Sequence, residues 1–191
     1  HYVNRDKPLN KHDHIVFNLD DGKQLRYNDT RKFGRMKLVS LDNYANELPL
    51  SKLGPEPFYA DEKKLYEKLH KCNLPIKHAL LDQSIIAGIG NIYANEICFA
   101  MGLDPYTPAS KLTKKSVKEL IEVASSILNE AIKQGGTTIH SFSANGIDGL
   151  FQVKLKVHLQ KKCSICGGEI TKEAIKGRGT YYCKKCQKRR R

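Results

Sequence analysis

The sequence predicts an α+β chain of several domains: a short β region, a helical middle and a C-terminal finger built on four cysteines. Three observations predict it. Apolar residues alternate between Ile15 and Val39, they recur at helical spacing from Leu65 to Ala131, and four of the six cysteines form two C-x2-C pairs near the end. A length of 191 residues is enough for a hydrophobic core but does not by itself separate one domain from two.

The β region reads as Ile15 to Leu19, an Asp20-Asp21-Gly22 turn signal, Gln24 to Tyr27, a polar corner, and Arg35 to Val39. Such a ribbon is marginal alone, so it reads as the end of a larger β domain, with residues 1–48 as its share. The chain starts with His1, not Met, and a segment upstream of it is expected. Leu53-Gly54-Pro55-Glu56-Pro57 is excluded from helix interior because each proline lacks an N–H and pushes its predecessor out of the helical region. Residues 49–57 are therefore read as a linker.

From 58 to 150 helical patterns dominate. Asp61 is placed to cap a helix carrying Leu65, Tyr66 and Leu69, and Ile76 to Leu81 starts another. A longer helix is predicted from about Thr113 to Ile132, with Val117, Leu120, Ile121, Ala124, Ile127, Leu128 and Ala131 on one stripe and Gly135-Gly136 as its stop. Residues 137–150 are polar and glycine-containing and read as a loop. Alternating Val153, Leu155 and Val157 read as a strand that opens the last unit, 151–191.

Charge is distributed unevenly. Residues 1–149 carry 20 Lys/Arg against 18 Asp/Glu, whereas 150–191 carry 13 against 2, so the C-terminal lobe holds +11 of the formal +13. A nearly neutral body joined to a strongly basic lobe suits a polyanion, most commonly nucleic acid. No run of about 18 apolar residues occurs and no signal-peptide core opens the chain, so a soluble intracellular protein with no membrane partner is expected.

Cys163-Ser-Ile-Cys166 and Cys183-Lys-Lys-Cys186 are two knuckles that can present four thiolates to one ion. Their spacing favours a single structural zinc with no open position, although four sulfurs would also hold iron. Cys72 and Cys98 stand apart and read as buried thiols. Between the knuckles, Gly177 and Gly179 flank Arg178 and fit a hairpin tip carrying a guanidinium toward a phosphate; a solvated basic turn fits equally well. In Ala87-Gly88-Ile89-Gly90 a helix breaks, and the next one starts with Asn91 at or near its N-cap, where free N–H groups make an anion site. In Asp29-Thr30-Arg31-Lys32-Phe33-Gly34, spacing alone makes Phe33 a core residue and Arg31 a surface charge. An exposed Phe beside an Arg would instead be a wedge that unstacks bases.

Taken in order, Lys11-His12-Asp13-His14, Arg31-Lys32-Phe33-Gly34, Leu53-Gly54-Pro55-Glu56-Pro57, Gly88 to Glu96 and the finger with Gly177-Arg178-Gly179-Thr180 resemble the bacterial formamidopyrimidine-DNA glycosylase family, relatives of endonuclease VIII. The resemblance implies part of an N-terminal β-sandwich, a helix-two-turn-helix domain and a zinc finger. It also implies DNA repair: excision of 8-oxoguanine and formamidopyrimidine from double-stranded DNA, followed by β- and δ-elimination at the abasic site. By matching position it makes Arg31 a contact to the orphaned base and Phe33 a wedge. His12, Lys71, Lys77 and Asn91 become phosphate contacts, Arg178 a phosphate clamp and the proton donor of δ-elimination, and Ile139, His140, Ser141 and Phe142 the loop over the flipped base. A monomer in the bacterial cytoplasm, associated with the nucleoid, is the expected setting.

The chain also departs from the family. The family's N-terminal proline nucleophile, glutamate general acid and β-elimination lysine have no counterpart in these residues, so the 191-residue chain alone is expected to be inactive. Its third space-filling side chain, a methionine, has none either. Lys156-Val157-His158 stands where a tyrosine and glycine are usual, and Thr30 stands for the usual proline. The competing expectation is a zinc-ribbon DNA-binding module with no catalytic role. An RNA-binding ribbon is disfavoured because no aromatic platform accompanies the finger.

Overall fold

The computed structural model describes residues 1–136 and 154–190. Three short strands, β1 (Tyr2–Asn4), β2 (Asp13–Asn18) and β3 (Lys23–Asn28), form an antiparallel sheet in the order β1-β3-β2. Leu25 is the register partner of both Tyr2 and Phe17, so the three side chains lie side by side on one face and stay largely exposed. Expectation and structure part here. The third strand is Tyr2–Asn4, and Arg35 to Val39 is not a strand. Its apolar residues bury little, with Val39 half-buried and Leu38 98% exposed, and alternation without a partner strand forms no ladder.

The helical body follows. In α1 (Glu62–His70) the Asp61 carboxylate accepts from the Lys64 N–H at 2.8 Å, the predicted cap. Next come α2 (Ile76–Leu81), α3 (Asn91–Ala100) and α4 (Lys114–Lys133), the last capped by Thr113 and stopped by Gly135 and Gly136, both at positive φ. Leu65 and Leu69 of α1, Ile76 and Leu80 of α2, Ala94 and Ile97 of α3, and Val117, Leu120 and Ala124 of α4 meet in one core. Apart from Asn91, Asn95 and Glu96, α3 is apolar around most of its circumference, as suits the central helix of the bundle. Cys98 lies inside it, and burial raises its thiol to about 12, so it behaves as the apolar residue expected. Among the described residues no helix is long and apolar enough to cross a membrane.

The Leu53–Pro57 stretch is non-helical, as its prolines require, yet it is fastened down. Gly54 donates its N–H to the Gln83 carbonyl at 2.7 Å, and Ala87 donates to the Pro55 carbonyl at 2.9 Å. A Cβ on Gly54 would lie 2.7 Å from the Ile85 carbonyl oxygen and 2.8 Å from that of Ser84. Only glycine allows this approach to the turn between α2 and α3.

The finger is a two-stranded hairpin, β4 (Thr171–Ile175) and β5 (Arg178–Tyr182), joined by Lys176-Gly177 with both residues at positive φ. This two-residue turn moves the tip away from Arg178, which pairs with Ile175 as the first residue of β5. Nor is there a strand at Leu155–Val157; Val153 lies outside the described residues. The N–H groups of Lys156, Val157 and His158 all converge on the Glu96 carboxylate at 2.9, 3.1 and 2.8 Å. Three successive amides turned to one acceptor cannot alternate across a sheet.

Gly54→Ala is expected to lower the stability of the helical body by about 1–3 kcal/mol, read as a fall in the urea midpoint. An unchanged midpoint would show that the turn between α2 and α3 yields without cost.

Candidate nucleic-acid interface

The four finger cysteines place all their sulfurs within 4.8 Å of one another. Cys163 and Cys186 are 3.7 Å apart, and Cys166 and Cys183 are 3.6 Å apart. A tetrahedral zinc with bonds of about 2.3 Å needs edges of about 3.8 Å, so the set fits one closed structural ion. Local turns build each knuckle: Gly167 at positive φ donates to the Cys163 carbonyl, and the Gln187 side chain accepts the Cys183 N–H at 2.8 Å. Burial alone would raise the Cys163 thiol, but hydrogen bonds from the amides of Cys166 and Ile165 outweigh it and bring it down to about 7. The Cys186 thiol is instead pushed up to about 12, led by its side-chain hydrogen bond with Cys166, so a metal binding all four sulfurs must displace that proton.

The finger is sewn onto α2 and α3 by polar groups from both. The Lys77 ammonium donates to the Gly179 carbonyl and to Thr180 Oγ1, both at 2.8 Å, and the side chain is 0% exposed. Burial lowers its ammonium to about 8, and the Arg178 guanidinium pushes in the same direction. Asn91 Nδ2 donates to the same Gly179 carbonyl at 3.1 Å, which uses both lone pairs of that oxygen. Asn91 is the first residue of α3, after Gly90 as N-cap, and makes no capping bond. Its Oδ1 is buried with no partner among the described residues, a cost of about 1–3 kcal/mol accepted in order to hold Gly179. Arg178, one residue before that carbonyl, stays exposed.

Other contacts continue the seam. Asn95 Nδ2 donates to His158 Nδ1 at 2.7 Å, and burial followed by the Lys77 charge lowers the imidazole to about 4, leaving it a neutral acceptor. The His158 ring meets Tyr181 edge-on at 4.8 Å. Tyr106 from the α3–α4 connection and Tyr182 from β5 both donate to Glu173 Oε2, at 2.7 and 3.2 Å. Phe99 packs with Val157, Tyr181 and two zinc-site cysteines in a separate core.

The Arg31–Phe33 corner is prefolded by one carboxylate. Asp29 accepts the N–H groups of Arg31 and Lys32, both at 3.0 Å, and of Gly34 at 2.8 Å; led by the Gly34 bond, these lower it to about 2. Phe33 is 75% exposed with the Arg31 guanidinium 4.7 Å from its ring centre, so it is no core residue. His12 is half-buried beside β2, its carbonyl accepting the Asp29 N–H, while Lys71 is exposed at the end of α1. Ile139, His140, Ser141 and Phe142 lie outside the described residues.

Sequence reasoning named Lys77, Asn91 and Arg178 separately, and the structure joins them through Gly179. It gave no role to Glu96, Asn95, Thr180 or Gln187, all of them buried and hydrogen-bonded across the seam. Glu96 could have been found as the lone charge in an otherwise apolar helix, since a buried carboxylate needs donors.

The class this architecture defines is a helix-two-turn-helix protein carrying a four-cysteine finger. Family models match in chain order: a formamidopyrimidine-DNA glycosylase N-terminal domain over 1–36, a formamidopyrimidine-DNA glycosylase H2TH domain over 53–143, and a zinc finger found in FPG and IleRS over 160–189. The formamidopyrimidine-DNA glycosylase of Bacillus licheniformis is 45% identical over 189 residues, 96% of this chain and 69% of that protein; the Bacillus subtilis enzyme is 43% identical over 95% and 68%. Among solved structures, the Lactococcus lactis Fpg complex with an abasic-site DNA is similar with a TM-score of 0.90 and 40% identity over 98% of this chain and 70% of that one. Its complex with a Fapy-dG DNA has 0.89 and 38% over 99% and 71%. The chain belongs to the formamidopyrimidine-DNA glycosylase family.

One zinc per chain is expected by metal analysis. Its removal with a chelator should abolish duplex binding while leaving most of the far-UV helical signal, because the α1–α4 core does not use the metal. Loss of the helical signal together with the metal would contradict that separation.

Proposed function

We propose that the chain is the damaged-DNA-gripping part of a bifunctional glycosylase and AP lyase. This enzyme removes 8-oxoguanine and formamidopyrimidine from double-stranded DNA and nicks the resulting abasic strand. The observation that carries the reading is the convergence of Lys77 and Asn91 on the Gly179 carbonyl, with exposed Arg178 beside it. With the following peptide held in place, the exposed guanidinium starts from a fixed backbone position and can meet a phosphate bidentately. Lys77, buried with two of its three donors engaged, acts through Arg178, and any direct phosphate contact needs the finger to shift.

The Arg31–Phe33 corner performs the second task. Phe33 already faces solvent on a turn held by Asp29, so it can enter the stack when a nucleotide leaves it, with Arg31 reaching the orphaned base. His12 and Lys71 supply further phosphate contacts, and Ile139 to Phe142 close over the flipped base. Arg178 also donates the proton of δ-elimination. The units 1–48, 58–150 and 151–191 divide this work, with 49–57 between them. We place the protein in the bacterial cytoplasm as a monomer. Zinc supplies rigidity to the finger and enters no step.

No residue among these 191 is assigned the part of nucleophile or general acid in this reading.

Two titrations test this reading. The chain should bind a duplex with a tetrahydrofuran abasic analogue more tightly than the intact duplex. Arg178→Ala should weaken the abasic duplex about ten- to a hundredfold, as loss of a charged hydrogen-bonded contact would. Equal affinity for both duplexes would favour a plain zinc-ribbon module.

A further inference from the structure

After Cys186 the chain continues Gln187-Lys188-Arg189-Arg190, a polar and basic run with no strand or helix of its own, yet it is tied down. Gln187 Nε2 donates to the Leu103 carbonyl at 2.9 Å, Lys188 donates its N–H to Gly102 at 2.8 Å, and Lys188 accepts from the Asp104 N–H at 3.0 Å. Arg190 donates its N–H to Thr107 Oγ1 at 3.3 Å and its guanidinium to Ser116 Oγ, and both hydroxyl-bearing residues are buried. Residues 187–190 thus run along the α3–α4 connection and reach the first turn of α4.

The Arg190–Ser116 bond brings the tail to the first turn of α4, where Lys114 and Lys115 are exposed, as are Lys188 and Arg189 of the tail. Among the described residues none of them pairs with a carboxylate. Like charges held together without counter-ions cost stability, and the contacts of Gln187, Lys188 and Arg190 maintain that cost. We propose that the C-terminal tail and the start of α4 form a second contact surface for the phosphate backbone of duplex DNA, separate from the Arg178 site. The proposal rests on the reading of the chain as a duplex-DNA binder.

The separation follows from the strand. Four residues of β5 follow Arg178 before the second knuckle, so the chain is carried about 13 Å along the strand before it reaches the zinc site and then the tail. That exceeds the screening length of about 8–10 Å at physiological salt, so the two cationic sites act independently. At 3.4 Å per phosphate along a strand it also spans about four or more nucleotides. The tail surface therefore meets duplex flanking the lesion, and a short duplex centred on Arg178 does not reach it.

The test uses the full 191-residue chain and two duplexes with a central tetrahydrofuran site, one trimmed to the shortest length that still binds and one extended by ten base pairs on each side. Affinity is measured across a salt series for the parent chain, for the triple variant Lys114→Gln/Lys115→Gln/Arg189→Gln, and for Arg178→Ala. On the long duplex the triple variant should bind severalfold more weakly, with a salt slope shallower by about 2 to 3, as loss of up to three phosphate contacts requires. Its binding to the short duplex should match the parent, which also reports that the variant is folded. Unchanged slope and affinity on the long duplex would overturn the second surface, as would equal weakening on both lengths. Arg178→Ala should weaken both lengths; if it weakens neither, it is the underlying Arg178 reading that fails.

Discussion

The Gly179 carbonyl oxygen accepts from the Lys77 ammonium on α2 and from the Asn91 amide on α3, and through it the finger and the helical body share one geometry. Neither donor is easily held there. Among the described residues the buried ammonium has no carboxylate, and burial lowers it to about 8, while Asn91 leaves its own oxygen without a partner there. These two costs fall on the peptide next to Arg178. The helix-two-turn-helix motif exists to bring α2 and α3 to that peptide. Gln83 shapes the turn between them, accepting the Gly88 N–H at 2.9 Å and donating to the Ile89 carbonyl at 3.1 Å.

Zinc and the seam divide the remaining labour. The metal can only join one knuckle to the other, whereas the approach of the chain to the finger is set by Glu96 gathering three amides and by His158 wedged between Asn95 and Tyr181. Where relatives are expected to use a tyrosine and glycine, this chain uses a neutral histidine. The result is a finger whose basic surface is offered outward by a neutral, close-packed attachment.

What could be read from the sequence follows the range of each interaction. The cysteine pairs, the Asp61 cap, the start of the long helix at Thr113 and the Gly135-Gly136 stop are all decided within a few residues, and each forms as expected. The β region was legible only in part. Alternation marks Arg35 to Val39 as well as it marks Ile15 to Leu19, but a strand needs a partner, and β3 found its second one in Tyr2–Asn4. The site was legible as residue types and illegible as a constellation. Lys77 and Gly179 are 102 residues apart, and nothing local to Lys77 announces that its charge would be buried. Phe33 lay at the opposite extreme: composition assigned it to the core, and Asp29 holds it in solvent.

The central claim is that Lys77 serves DNA binding by fixing Arg178. A double-mutant cycle on affinity for an abasic-analogue duplex, with Lys77→Met, Arg178→Ala and both together, tests it most directly. Methionine keeps the buried stem and removes the charge, a change cores usually tolerate. The account predicts that the double variant binds no more weakly than Arg178→Ala alone. Losses that add within the usual error of independent sites would contradict it and make Lys77 a contact in its own right.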